Sequence, residues 1–451
     1  MANNGQTNSP NKYMNKRMKE FNWTALDAGQ RETALSRPAV TGNPDLEDKV
    51  ADIIARVREG GDAALLELTQ RFDGITLESL RVTDEEMAYA ETQVSAEARA
   101  ALQVAIKNVT AFHAAQLTDP IRVETSPGVV CERVTRPVGA VGLYVPAGSA
   151  PLPSTAIMLC VPATLAECPT RIICTPPRPD GRADPAVIIA AKLCGVDNIY
   201  KVGGAQAVAA MAYGTDSVPK VDKIFGPGNA WVTAAKTAVA RDPAGAALDM
   251  PAGPSEVMVV ADGSTNPRYV ALDLLSQAEH GPDSQAVLVC TDVDYAQQVY
   301  AEIESALPNL PRRDIIEQSL SHSVCFIASD AEEALEVANR YAAEHLIIQV
   351  KNARQYTDLI INAGSVFLGP WTPESVGDYC SGTNHVLPTY GFARNYSGLA
   401  VRDFQKQITM QELTRPGLEG LAPTVLTLAG LEGLDAHAQA VVVRLEDGEN
   451  S

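Results

Sequence analysis

A polar pair of residues stands where an apolar helical segment ends. Gln277 and His280 lie three positions apart in the stretch DLLSQAEHGPDSQ, residues 273–285, and residues three apart share one face of a helix. Gly281 and Pro282 follow directly, and both residue types are typical just after a helix C-terminus. Because imidazole is a common metal ligand, this helix end is a candidate binding site.

A second candidate site pairs a carboxylate with an imidazole. Glu344 and His345 stand in AAEHLIIQV, residues 342–350, at the end of a predicted helix and just before a predicted strand. The two side chains accept protons with different basicity, which suits general acid–base catalysis. A histidine at a helix end also complements the helix dipole, and the sequence alone leaves both interpretations open.

A long polar loop, residues 372–391, separates two apolar segments. Its candidate side chains are Glu374, Asp378, Asn384 and His385. Polar loops of this length are more often functional than not. Asp378 or His385 could join Gln277 and His280 around a metal ion, and imidazole with carboxylate suits zinc. The loop has no local zinc signature, so composition alone does not establish a metal site.

Three glycine-rich turns each follow a predicted strand and precede a predicted helix. They are residues 141–154, 202–207 and 224–231. The N–H groups at such a helix N-terminus can hold a phosphate group. None of the turns is a complete G-x-G-x-x-G motif, since Trp231 occupies the third glycine position of the last one. Tight turns without a ligand explain the glycines equally well.

The composition excludes several classes of function. The chain has 451 residues, of which 46% are hydrophobic, and a formal net charge of -19, so we expect two or more packed domains and no nucleic-acid partner. No run of about 20 apolar residues is present, as a membrane span would need. Residues 1–20 lack the apolar core of a secretory signal, and we interpret them as a disordered extension. Eight cysteines without a C-x-x-C pair are typical of reduced thiols in a cytosolic protein.

Two series of short apolar runs alternate with helical runs, which predicts an α/β fold with parallel sheets and helices on both faces. The predicted strands are 140–145, 171–176, 198–203 and 222–226 in the first series and 256–262, 286–292, 323–329, 346–350 and 365–369 in the second. A helical segment, residues 43–74, precedes them, with Asn43 as its predicted cap. After about residue 400 the pattern is mostly helical and indicates a small separate tail.

Taken together, these stretches resemble the histidinol dehydrogenase family from about residue 20 to the end of the chain. The matching motifs are TRPVGAVGLYVPAGSAPLPST, VGGAQAVAAMAYGT, VPKVDKIFGPGNAWVTAAK, DMPAGPSEVMVVAD, DLLSQAEHGPDSQ, EHLIIQ and GSVFLGPWTPESVGDYCSGTNHVLPTYG. So many long stretches in one order make a chance match negligible. The resemblance implies a cytoplasmic, zinc-containing homodimer. It also implies that L-histidinol is oxidised through the aldehyde to L-histidine, with two hydride transfers to NAD.

The resemblance also implies a metal site and a substrate site. It places the zinc ligands on Gln277, His280 and Asp378, with His437 supplied by the partner chain. The implied substrate contacts are Ser255, Gln277, His280, His345, Asp378, Glu432 and His437. Part of each site would therefore come from across a dimer interface.

The acid–base pair of the family falls on Glu344 and His345. His345 would take the alcohol proton, and Glu344 would activate the water that attacks the aldehyde. The implied NAD contacts are Tyr144, Gln206 and Asn229, one in each glycine-rich turn. One departure from the family pattern is Ala343, where a proline usually precedes the Glu-His pair. His385 belongs to the family motif and is expected to have a supporting role.

The resemblance implies two incomplete Rossmann-like domains with parallel sheets, preceded by a helical arm and followed by a small tail. The extension and arm span residues 1–42. The first α/β domain combines residues 43–125 with 255–399 and carries the zinc and catalytic residues. The second, residues 126–254, carries the NAD contacts. The tail, residues 400–451, is predicted to serve dimerisation.

Three other functions are compatible with parts of this pattern. In a zinc hydrolase, Glu344 would activate a zinc-bound water and the glycine-rich turns would be structural. In a non-enzymatic binding protein the fold would hold a small molecule without turnover, and the intact set of ligands and bases argues against this. A cysteine-dependent aldehyde dehydrogenase is disfavoured because no cysteine, Cys380 included, stands in a nucleophile-like motif.

Overall fold

A computed structural model of the chain describes residues 18–37, 44–147 and 151–446. The strands are Lys19–Asn22 (β1), Ile121–Ser126 (β2), Val129–Pro137 (β3), Ala140–Tyr144 (β4), Thr170–Cys174 (β5), Ile199–Tyr200 (β6), Lys223–Phe225 (β7), Ala247–Leu248 (β8), Glu256–Ala261 (β9), Gln285–Cys290 (β10), Val324–Ile327 (β11), His345–Gln349 (β12), Ser365–Leu368 (β13) and Gln405–Leu413 (β14). Most of the predicted N-terminal extension and the predicted cap Asn43 lie outside the described residues.

Helices connect most of these strands. The α-helices are Ala28–Ala34 (α1), Pro44–Asp73 (α2), Asp84–Gln93 (α3), Ala96–Ala114 (α4), Pro153–Leu165 (α5), Pro185–Leu193 (α6), Gly204–Tyr213 (α7), Ala230–Arg241 (α8), Pro267–Ala278 (α9), Val293–Ala306 (α10), Arg313–Leu320 (α11), Ala331–Tyr341 (α12), Glu374–Tyr379 (α13), Arg415–Glu432 (α14) and Asp435–Glu446 (α15). Short 3-10 helices are Trp23–Ala25, Leu307–Asn309, Ala353–Leu359, Phe392–Arg394 and Val401–Phe404.

Strands β4 to β8 form a parallel sheet in the order β6-β5-β4-β7-β8. Apolar clusters cover both of its faces, which explains why its central strands are continuous apolar runs such as AVGLY in β4. The order extends from β4 in both directions and leaves a switch point between β4 and β7. Beyond the carboxyl ends of the strands at such a point, the loops separate and a ligand can bind.

The second parallel sheet has the order β1-β11-β10-β9-β12-β13. It repeats the order of the first sheet around a switch point between β9 and β12, with β1 added at the edge. All six residues of β9, EVMVVA, are buried, as expected for a central strand with helices on both faces. Every strand predicted from the two apolar series is present, so the predicted α/β class with two parallel sheets is confirmed.

The helices that precede the first sheet pack differently from the prediction. The apolar stripe of α2, which includes Val50, Ile53 and Val57, lies against buried residues of the five-stranded sheet and of α7. Helices α3 and α4 pack on α6 and α5 of the same region. The apolar faces of α2, α3 and α4 are thus buried against the five-stranded sheet and its helices, whereas the prediction grouped segment 43–125 with the six-stranded sheet.

The chain after residue 404 forms a ribbon and a helix pair. Strand β14 pairs antiparallel with β3 along its full length, and β2 lies on the other side of β3. Helices α14 and α15 pack against each other, and α15 has no buried residue. The mostly helical pattern of this tail did not predict β14. Eight of its nine residues are exposed, so the strand has no apolar face for the sequence to reveal.

Two expectations for the whole chain can be compared with the structure. Within the described residues, no helix combines the length and the apolar character that crossing a membrane requires. The eight cysteines are free and six of them are buried, as predicted. Burial raises the pKa of Cys174 and of Cys194 to about 12, so these thiols stay protonated and unreactive.

Candidate active site

The predicted acid–base pair lies at the amino edge of the six-stranded sheet. Strands β9 and β12 are parallel neighbours, and His345 at the start of β12 pairs with Val257 near the start of β9. Helix α9 runs back towards this edge, so Gln277 in its last turn and His280 just after it reach the same end of the sheet. Ligands of open α/β sheets usually bind at the carboxyl edge, and this cluster occupies the opposite one.

Helix α13 brings two further carboxylates to the cluster. Glu374 and Asp378 are four positions apart and so lie on one face of this helix, which contacts α9. His345 Nε2 is 3.5 Å from Asp378 Oδ1, and His345 Nδ1 is 3.6 Å from Glu374 Oε1. The same Nδ1 atom is 3.6 Å from Glu344 Oε2. The His345 imidazole therefore lies between three carboxylates.

The backbone of Glu256 contacts both acid–base side chains. Its N–H donates to Glu344 Oε2 at 2.9 Å, and its carbonyl oxygen lies 3.3 Å from His345 Nδ1. Because a carbonyl oxygen can only accept, this contact assigns a proton to Nδ1. When the imidazole is neutral, Nε2 is then the atom that can take up a proton.

Three side chains at this edge could hold a metal ion. His280, Glu374 and Asp378 each present one ligand atom, and these atoms lie within 4.8 Å of one another. The predicted ligand Gln277 is fully buried in α9. Nitrogen and oxygen donors of these types fit zinc or another borderline divalent cation.

Among the described residues, several buried polar atoms of this cluster have no hydrogen-bond partner. In the part of the chain that the structure describes, the buried atoms here without a hydrogen-bond partner are Gln277 Oε1 and Nε2, His345 Nε2, Glu374 Oε1 and Oε2, Asp378 Oδ1 and His385 Nε2. Each unsatisfied buried group costs about 1–3 kcal/mol, so a folded protein rarely collects several without a reason. A bound cation and a polar substrate would satisfy them, and the residues present fit both.

Glu374 is a further candidate site residue, and its position in the sequence had suggested no particular role. Residues 372–391 were interpreted as a loop, whereas residues 374–379 form helix α13. Glu374 is 1% exposed and sits within reach of His280 and Asp378. The signal that could have found it is the four-residue spacing to Asp378, which places both carboxylates on one face once the segment is taken as helical.

Burial and mutual charge set the protonation of the cluster. Burial raises the pKa of Glu344 and of Glu374 to about 8 each. Burial alone would lower the pKa of His345, but the carboxylates around it raise that pKa well above its ordinary value. Burial alone would raise the pKa of Asp378, but its contact with His345 lowers it. A divalent cation would shift each of these pKa values downwards, because positive charge favours the deprotonated forms.

The three predicted NAD contacts line a single cavity of about 810 Å³. Tyr144 ends β4, Gln206 lies in the first turn of α7, and Asn229 is the N-cap of α8. The Tyr144 hydroxyl accepts a hydrogen bond from the Gly204 N–H at 3.0 Å, which ties two of the turns together. The cavity lies at the switch point between β4 and β7, where doubly wound sheets bind nucleotides. Its volume suits a cofactor-sized ligand.

The remaining predicted substrate contacts are divided between the sheet edge and the tail. Ser255 directly precedes β9 and so lies at the same edge as His345. Glu432 ends α14 and His437 lies in α15, and both side chains are exposed. The main contacts of these helices are with each other and with β14. A single chain therefore leaves Glu432 and His437 on an outer surface and does not bring them into the cluster.

Two histidines outside the cluster, and the Ala343 position, are held by hydrogen bonds with the backbone. His113 Nδ1 donates to the carbonyl of Val109 at 2.8 Å, and His322 Nε2 donates to the carbonyl of Ser284 at 2.9 Å, as expected for structural histidines. Ala343 is buried, and its carbonyl accepts from the Gly364 N–H at 2.9 Å. The turn before the Glu-His pair is thus anchored by the backbone without a proline.

The chain is similar to known proteins over nearly its whole length. A family model described as histidinol dehydrogenase matches residues 36–445. The histidinol dehydrogenase of Photobacterium profundum is 53% identical over 429 residues, which cover 95% of this chain and 96% of the relative. That of Vibrio parahaemolyticus is 54% identical over 429 residues and is covered to 99%. A crystal structure of histidinol dehydrogenase from Elizabethkingia anophelis, 44% identical, has a TM-score of 0.92 and covers 96% of this chain and 99% of its own.

Proposed function

The chain belongs to the histidinol dehydrogenase family, and we propose that the cluster around His345 and the cavity beside Tyr144 are two parts of its active site. The family activity is the NAD-dependent oxidation of L-histidinol, through L-histidinal, to L-histidine, which completes histidine biosynthesis. The observation that carries the residue assignment is the group of buried, unsatisfied polar atoms around His345.

Gln277, His280 and Asp378, with His437 of the partner subunit, are the proposed zinc ligands, and Glu374 lies within reach of the same position. The short separations among the ligand atoms of His280, Glu374 and Asp378 support this assignment, as does the unsatisfied amide of Gln277. Zinc, when bound, would hold the substrate in one orientation and polarise its reacting group.

In the first oxidation, His345 acts as the base. The Glu256 carbonyl holds the Nδ1 proton, so Nε2 takes the proton of the alcohol as hydride leaves the carbinol carbon. NAD, when bound, accepts that hydride. The protonated imidazole is stabilised by Asp378, whose Oδ1 is 3.5 Å from Nε2, and it returns its proton to solvent before the next step.

In the second oxidation, Glu344 acts on a water molecule. Its carboxylate is oriented by the N–H of Glu256 and takes a proton from the water as the water attacks the aldehyde carbon. Glu344 passes this proton to the former aldehyde oxygen, which gives the hydrate. The hydrate then gives up its single carbinol hydrogen as hydride, for which a second NAD would be the acceptor, while His345 again takes a hydroxyl proton. Two neighbouring residues thus serve both steps, His345 twice and Glu344 once.

The proposal includes a cytoplasmic homodimer in which Glu432 and His437 of a second copy complete each site. Their exposure on α14 and α15 supports this, since a residue that serves a neighbouring subunit must be accessible in the single chain. The antiparallel pairing of β14 with β3 attaches the tail firmly to the rest of the chain. The free cysteines are consistent with a reducing compartment.

A progress curve with L-histidinol and NAD tests the function. The proposal expects two NADH for each histidinol consumed, with L-histidine as the product. A variant that combines Glu344→Gln with His345→Ala should form none and serves as the control. One NADH per substrate would contradict the second oxidation, and the absence of NADH would favour a zinc hydrolase or a binding protein instead.

A further inference from the structure

Arg37 reaches a buried carboxylate at the amino end of β9. Its Nε and Nη2 atoms donate to the two oxygens of Glu256 at 2.6 Å and 2.8 Å, and the two side chains are only 9% and 2% exposed. Nη2 also donates to the carbonyl of Tyr341 at 2.8 Å, and the guanidinium carbon lies 3.8 Å from the centre of the Tyr341 ring. A bidentate pair of this kind holds both partners in one geometry.

Two further groups hold the Glu256 carboxylate. The Tyr341 hydroxyl lies 3.2 Å from its Oε2 atom and 2.6 Å from Oε1 of Gln285, and the backbone N–H of Tyr390 donates to its Oε1 atom at 3.1 Å. The contacts come from three segments that are distant in sequence. The side chain of Glu256 is therefore fixed relative to the N-terminal arm, to α12 and to the loop after α13.

The two ends of Glu256 connect different parts of the molecule. Its side chain binds Arg37, while its backbone N–H and carbonyl contact Glu344 and His345. A rotation of the Glu256 backbone would move its contacts with both acid–base groups at once. We infer that Arg37 is a positioning residue for the oxidation, acting through Glu256. This inference rests on the roles proposed above for Glu344 and His345.

A variant series separates positioning from support of the fold. Arg37→Met removes the charge and all donors, and Arg37→Lys keeps the charge but loses the bidentate geometry. At equal zinc content and folded fraction, we expect Arg37→Met to lower kcat with histidinol and with histidinal by about 10- to 100-fold, while each KM changes less than about threefold. Arg37→Lys should recover part of the lost kcat.

Arg340→Met is the matched control. This arginine pairs with Glu336 at 2.9 Å on the surface, with 46% of its side chain exposed, so its loss should leave kcat unchanged. A role of Arg37 in the fold alone would lower the melting temperature and the folded fraction and leave kcat per folded molecule unchanged. Such a result overturns the inference, as does a defect confined to KM.

If Arg37→Met does not fold, Glu256→Gln replaces it in the test. The amide keeps the shape of the side chain but weakens the pair with Arg37, so the same kcat loss in both steps is expected, and an unchanged kcat overturns the inference. The wild-type protein reports separately on the proposed function. If wild type forms NADH and the variants match it, positioning by Arg37 is refuted alone, whereas no NADH from wild type refutes the proposed function.

Discussion

At the residue scale, Glu344 and His345 are neighbours in the chain for which different tasks are proposed. His345→Ala should slow both oxidations, and Glu344→Gln mainly the second, because only the aldehyde step needs an activated water. General acid–base assistance is typically worth about 10²–10⁴-fold, which sets the expected loss. Supplying histidinal directly and timing NADH formation separates the two steps. Equal losses in both steps for Glu344→Gln would contradict this division of tasks.

The proposed metal ligands can be tested both by turnover and by metal analysis. Chelation should abolish turnover and added zinc should restore it, and Asp378→Ala should lower bound zinc as measured by metal analysis, because it removes one ligand of the set. Glu279→Ala is the control, since Glu279 lies between Gln277 and His280 in sequence but caps α9 and takes no part in the proposed ligand set. Full zinc occupancy in Asp378→Ala would show that Asp378 is not a ligand.

At the element scale, the sequence predicted the buried strands, because burial on both faces requires a continuous run of apolar residues. Strands such as β9 and β4 lie between two layers of helices, so each is a continuous apolar run bounded by turn residues. Strand β14 is exposed almost throughout and leaves no such pattern. Helix α2 was recognised, but an apolar stripe on a helix does not show which of two similar sheets it packs against. That choice depends on the whole set of tertiary contacts.

The sequence likewise predicted only some residues of the candidate site. Residues that stand beside glycine or proline at an element end, such as His280 and Asn229, could be singled out, and the family resemblance gave them roles. Glu374 was named as a candidate but received no role, and Glu256 was not singled out, because their part in the site depends on α13 being a helix and on β9 lying next to β12. Neither fact is local in the sequence.

The N-terminus of α7 allows a test of the cavity proposed for NAD. Gly204 has a φ of +64°, and an added Cβ would lie 2.8 Å from Oε1 of Gln206. Gly204→Ala should therefore displace Gln206 and raise KM for NAD with little change in KM for histidinol. Gly195→Ala is matched for backbone strain, with a φ of +79°, but an added Cβ has open space there. A KM for NAD that rises equally in both variants would indicate general destabilisation and remove Gln206 from the cofactor site.

At the scale of the whole molecule, the proposed shared site predicts complementation between two inactive subunits. One variant carries His437→Ala, and the other combines Glu344→Gln with His345→Ala. Random reassociation makes roughly half the dimers mixed, each with one intact site, so about a quarter of full activity should return in an isologous dimer. Mass spectrometry establishes that mixed dimers form. Mixed dimers without activity would show that His437 serves its own chain.

The pairing of β1 has a consequence for the order of events during synthesis. Lys19 pairs with Val324 at the edge of the six-stranded sheet, whereas β4 to β8 and the helices around them come from one continuous stretch of chain. At roughly 5–20 residues per second, the first strand leaves the ribosome on the order of 15–60 seconds before its neighbour exists. The residues that line the cavity proposed for NAD lie between Ile53 and Trp231, so this cavity can form before the proposed acid–base pair is translated. Phe404, which stacks on Phe225, joins this part of the fold later.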